Sequence, residues 1–99
     1  MKLVRVVKMT FRDDAVDLFK ALFESRKQQI RSFEGCTHLE LWQDRLHPHT
    51  FFTYSHWINA EALDAYRHSA FFEDTWNQTK QLFAARPEAW SVNPVSVLP

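Results

Sequence analysis

Residues 51–76 read FFTYSHWINAEALDAYRHSAFFEDTW, and their reading decides the fold of this chain. Phe51 to Trp57 carries aromatic side chains on both faces, Phe51 and Trp57 on one and Phe52 and Tyr54 on the other, as a strand covered on each side does. Asn59 then stands where a helix N-cap is wanted, with Ala62, Leu63 and Tyr66 as the inward residues of the helix it opens. Ser69 repeats the device and starts a second helical piece whose apolar stripe is Phe72, Trp76, Thr79, Leu82 and Phe83. That piece is expected to run to Arg86-Pro87, because the residue before a proline is pushed out of the helical region. The stretch is thus a strand, a turn and a broken helix. It also holds two of the four tryptophans and both tyrosines, which makes it the natural wall of any binding site.

Upstream, Leu3 to Phe11 reads as a strand with Leu3, Val7, Met9 and Phe11 on one face and Val4 and Val6 on the other. Arg5, Lys8 and Thr10 interrupt this pattern, so one face meets water or a polar cavity. Asp13 or Asp14 supplies a helix N-cap, its carboxylate complementing the positive end of the dipole. Ala15, Leu18, Phe19, Leu22, Phe23, Ile30 and Phe33 then recur at the spacing of an amphipathic helix of about five turns. Gly35, the only glycine, follows where a left-handed C-cap is wanted. Arg26 falls in the middle of the apolar stripe, where its head either snorkels to the helix edge or points into a pocket as a cation. Cys36 to Asp44 alternates, Leu39 and Leu41 against His38, Glu40 and Trp42, and predicts a strand. Arg45 to Thr50 makes a polar hairpin loop.

Glu88 to Val92 predicts a last short strand, which Pro94 keeps from extending as a full central ladder. The tail Val95 to Pro99 is placed to reach a partner. The order is β-α-β-β-α-β with the second helix broken, a ferredoxin-like α+β fold with a four-stranded antiparallel sheet. Such a sheet carries helices on one face only. Large apolar groups on the other face call for a second copy of the chain, and a twofold dimer follows.

At 99 residues there is room for one domain, with 1–94 as its core and 95–99 as a tail. Lys and Arg balance Asp and Glu at 12 each, so no basic stripe offers itself to nucleic acid. The single cysteine, Cys36, cannot form an internal disulfide, which suits a reducing compartment, and it reads as a small buried hydrophobe. No apolar run approaches the roughly 20 residues that cross a bilayer, and MKLVRVV lacks a signal-peptide core. A cytoplasmic protein without a membrane partner is expected. His47-Pro48-His49 brings two imidazoles together without an acidic or Cys ligand at metal-binding spacing, so a solvated loop and no metal are expected.

The run YSHWINAEALDAYRHSAFF resembles the strand-Trp-loop-helix signature of the antibiotic biosynthesis monooxygenase domain, matching it at Trp57, Glu61, Ala62, Leu63, Ser69 and Phe72. Phe33 to Cys36, FEGC, is similar to the junction that closes that family's first helix. The resemblance spans nearly the whole chain. It implies a dimeric α/β barrel in which two sheets pack face to face, each subunit keeping a pocket between sheet and helices. It also implies oxidation of polycyclic phenols without metal or flavin, haem degradation, or the processing of small signalling molecules and quinones. Several relatives carry histidines where this chain has Tyr66 and Phe71. The haem-degrading arrangement would fall on Val7, Tyr66 and Trp76, residues unsuited to it, so haem is not expected.

Cofactor-free oxygenation of that kind needs a dry cavity for an electron-rich ring, a base, and donors for the developing negative charge. Trp57, Tyr66, Phe72 and Trp76 can line the cavity, although the same aromatics also suit plain core packing. Tyr66 offers a hydroxyl donor. His68, at the junction of the two helical pieces, is the candidate base, since imidazole titrates near neutrality. His38 and His56 lie on strands that should pair and face either the pocket or the dimer seam. Arg26 is a candidate anion holder. The expectation is a small cofactor-independent monooxygenase. The alternative is a non-catalytic, small-ligand-binding or stress-related dimer of the same fold.

Overall fold

The computed structural model describes residues 2–99. Its elements are β1 (Leu3–Thr10), a 3₁₀ turn (Asp13–Ala15), α1 (Val16–Arg31), β2 (Cys36–Gln43), β3 (Thr50–Trp57), α2 (Ala60–Arg67), α3 (Ala70–Lys80) and β4 (Glu88–Val92). The strands form one four-stranded sheet in the order β2-β3-β1-β4, antiparallel at every pairing. This is the ferredoxin-like α+β arrangement. No helix among the described residues is long and apolar enough to cross a membrane.

Register sorts the side chains by face, since neighbours along a strand point to opposite sides. Leu3 pairs with Trp57, Val7 with Thr53 and Met9 with Phe51 on the face the helices cover. His38 pairs with His56, Glu40 with Tyr54 and Trp42 with Phe52 on the bare face. The covered face packs as two apolar clusters. One gathers Ile30, Cys36, Trp57, Leu63 and Tyr66 at the α2 end. The other gathers Met9, Phe11, Phe19 and Phe51, with Phe11 and Phe19 stacked at 4.1 Å. Between them the helix-facing residues of β3 run Phe51, Thr53, Ser55, Trp57, large at the ends and small in the middle. Small side chains under a helical layer leave space, and a cavity lies there.

Local signals position the helices. Asn59 accepts from the Ala62 amide at 2.8 Å and Ser69 from the Phe72 amide at 3.1 Å, so both expected caps are in place. Gly35 has φ of 90°. Its carbonyl accepts from the Ile58 amide at 2.9 Å, tying the end of α1 to the end of β3.

Three expectations are corrected. Neither Asp13 nor Asp14 caps a helix: Arg12 holds the N-cap position of the 3₁₀ turn and Ala15 that of α1, both without a side-chain cap. The carboxylates are drawn elsewhere, Asp14 to Arg12 Nε at 3.3 Å and Asp13 to His49 Nε2 at 2.8 Å. Leu18, assigned to the buried stripe, is 58% exposed. Finally, α3 ends at Lys80 rather than at Arg86. The chain leaves the helix because Phe83 bridges to Phe11, Ala84 N donates to Thr10 O at 2.8 Å and Arg12 N donates to Leu82 O at 3.1 Å. A tertiary β-bridge therefore stops α3 before the proline does.

Candidate functional site

A cavity of about 390 Å³ lies between the sheet and the helices, over Thr53 and Ser55. Its wall is an aromatic ladder. Trp57 stacks on Tyr66 with centroids 5.0 Å apart, Tyr66 meets Phe72 edge-on at 5.0 Å, and Phe72 stacks on Trp76 at 6.0 Å. The break between α2 and α3 makes the ladder continuous. Ser69 Oγ donates to Tyr66 O at 2.6 Å while accepting from the Phe72 amide, so one side chain joins the end of one helix to the start of the next and aims both aromatics inward. A second, more open groove of about 440 Å³ lies between α1 and β2. Its Glu24 and Lys27 pair with each other at 2.8 Å, and it has no comparable aromatic wall.

Trp57 is 1% exposed, and its indole N–H donates to Ser55 Oγ at 3.0 Å. The Tyr66 side chain lines the cavity, and its hydroxyl has no hydrogen-bond partner among the described residues although it is not sealed from solvent. Burial pushes the Tyr66 phenol well above its ordinary range, with nearby Cys36 acting in the same direction. It is therefore a proton donor and not a base. Cys36 is buried too, its thiol donating to the His38 carbonyl at 3.6 Å, and burial raises its pKa. That keeps it a thiol.

The profile of the antibiotic biosynthesis monooxygenase family matches residues 3–78. The chain belongs to the antibiotic biosynthesis monooxygenase family. Among curated protein sequences none matches. Solved structures share the fold of this family member at low identity. Rv0793 from Mycobacterium tuberculosis is 17% identical with a TM-score of 0.90, and the alignment covers 100% of each chain. A conserved protein from Methanosarcina mazei Go1 is 18% identical over 93% of this chain and 91% of its own, with a TM-score of 0.88. A mutant of SnoaB, a cofactor-independent oxygenase from Streptomyces nogalater, is 15% identical over 99% of this chain and 97% of its own, again with a TM-score of 0.88.

Of the residues singled out from the sequence, Trp57, Tyr66, Phe72 and Trp76 come together on the cavity wall, and Val7 lies on its floor. Three others do not. His68 is exposed at the helix break, its Nδ1 donating to Asp64 O at 2.7 Å, and lies off the wall. Arg26 is held by Asp74 and Thr75, both at 2.9 Å, with its guanidinium 5.7 Å over the Phe71 ring. His38 sits on the bare face, where its ring is 4.8 Å from that of His56. There Glu40 accepts from Trp42 Nε1 at 2.7 Å and from His38, two hydrogen bonds that hold its carboxyl below the usual range. His56 meets Tyr54 OH at 2.7 Å, and Tyr54 stacks with Trp42 at 4.6 Å. Partial burial, then Lys2 and His38, lower the His56 pKa.

Sequence reasoning did not assign Arg5 or Arg67 to the site, and both line the cavity. The signal for Arg5 was its interruption of an apolar strand face. Arg67, next to Tyr66 at the end of α2, had none.

Proposed function

We propose that this chain is a cofactor-independent monooxygenase acting on an aromatic, phenolic or quinone-like molecule in the cavity between sheet and helices. The observation that carries this reading is the aromatic ladder from Trp57 to Trp76, which lines the cavity and includes Tyr66, a phenol whose hydroxyl has no partner among the described residues. The ladder takes a planar ring by stacking. In a site that excludes water, a neutral phenol donates to the oxygen on which negative charge develops as the substrate loses its proton. Family membership supports the same activity. The purified protein is expected to consume oxygen with at least one member of a hydroquinone and anthrone panel, read at an oxygen electrode alongside product formation. A panel without uptake overturns the reading.

A second reading, a non-catalytic module that holds such a ligand, is favoured by one observation. Among the described residues no histidine or carboxylate lies on the cavity wall, so the candidate base is missing from it. Thermal stabilisation by a panel compound that yields no product would select this reading.

In either case a second copy covers the bare face. Trp42, Trp90 and Val92 are 41–46% exposed in a single chain, too much large apolar surface on one sheet face to leave in water. Light scattering at micromolar concentration is expected to give twice the 11.8 kDa chain mass. A mass of one chain would exclude the pairing.

A further inference from the structure

Among the described residues, Arg5 and Arg67 are the only charged side chains on the wall of a cavity otherwise lined by aromatic, aliphatic and small hydroxyl residues. Arg5 points from β1 toward the helices, at the register position between Ser55 and Ser91. One of its N–H groups donates to Ser91 Oγ at 2.9 Å, a neutral partner that leaves the guanidinium charge uncompensated. Arg67 closes α2 immediately after Tyr66. Neither arginine takes part in a salt bridge among the described residues, whereas Lys8 pairs with Glu88 and Arg26 with Asp74. Burial and the charge of Arg67 both lower the Arg5 pKa, so the two cations feel each other with no anion between them.

Two like charges at the mouth of an apolar cavity are unfavourable in the empty protein and become favourable once an anion lies between them. A guanidinium is a planar fork of donors that matches the two oxygens of a carboxylate. We propose that the ligand of this cavity is an aromatic carboxylate, its acid group held by Arg5 and Arg67 at the β4 edge and its ring against the ladder beside Tyr66. The proposal rests on the cavity being the binding site and adds the charge of what binds.

Hydroxynaphthoate, its methyl ester and naphthol, titrated calorimetrically near neutral pH into the wild-type protein, provide the test. The acid is expected to bind at least about tenfold more tightly than the ester or naphthol, the size of a charge-assisted hydrogen bond. Arg5→Met and Arg67→Met are each expected to reduce that preference, and the double variant to abolish it while the neutral compounds bind as before. Arg67 is exposed at a helix end, so Arg67→Met alone keeps the test open should Arg5→Met fold poorly. Arg45→Met, in the exposed hairpin loop, removes the same net charge and is expected to leave the preference intact.

Equal binding of acid and ester, a preference that survives in the double variant, or an equal loss in Arg45→Met would each overturn the proposal. If none of the three compounds binds, the cavity reading falls with it. Selective binding of the acid without oxygen uptake upholds the arginine pair and removes only the oxygenase.

Discussion

Gly35→Ala is expected to destabilise the protein by about 2–6 kcal/mol, from roughly 1–3 for placing a side chain at a left-handed backbone position and roughly 1–3 for overpacking. Gly35 has φ of 90°, which an L-residue adopts only under strain. A Cβ there would also collide with the Cβ of Ala62 on α2. Domains of this size are stable by about 5–15 kcal/mol, so the lower part of that range leaves a folded but weakened protein and the upper part an unfolded one. Urea melts would show the midpoint falling. Adding Ala62→Gly to Gly35→Ala is expected to restore the packing share and not the backbone share. A loss below about 0.5 kcal/mol, typical of an ordinary surface substitution, would show that the junction does not need its glycine. The effect reaches the site, because the Gly35 carbonyl holds the Ile58 amide at the point where Trp57 passes into α2 and so toward Tyr66.

Tyr66→Phe is expected to lower kcat by roughly 10²–10³, the usual consequence of removing one donor from a developing oxyanion. Ligand affinity should change little, since phenylalanine keeps the ring that stacks on Trp57 and meets Phe33 and Phe72 edge-on. This split separates a donor from a packing residue. Losing kcat alone identifies the hydroxyl with the chemistry, whereas equal loss of affinity and stability would reduce Tyr66 to a wall. The phenol stays protonated through the neutral range because burial raises its pKa, so Tyr66 should contribute no limb to the pH-rate profile there. His68→Ala in the same assay is expected to leave kcat nearly unchanged, because the imidazole bonds to the Asp64 carbonyl outside the cavity.

What was legible in the chain was what neighbours in sequence determine. Asn59 and Ser69 cap their helices through amides three residues on, Gly35 takes its turn through its own φ, and strand alternation separates Leu39 and Leu41 from His38, Glu40 and Trp42. These interactions close over a few residues and need no knowledge of the rest of the fold. From them came the element order, the ferredoxin-like sheet and the aromatic wall. Two of the misplaced features depend on distant partners. Asp13 answers to His49 instead of to helix amides, and α3 stops where Phe83 finds Phe11.

The same division holds for the site. Sequence alone determined that residues 51–76 form a strand and a broken helix, and that Trp57, Tyr66, Phe72 and Trp76 share an inward side, because period and capping are local properties. Only the tertiary structure decided what faces them. The pairing of β2 with β3 set His38 against His56 on the outer face, Asp74 drew Arg26 away, and the packing of α2 against β3 brought Arg67 to the cavity that Arg5 already lined. The physical reason is that register and long-range ion pairing are chosen by the packed whole, and a one-residue shift would send each strand side chain to the opposite face.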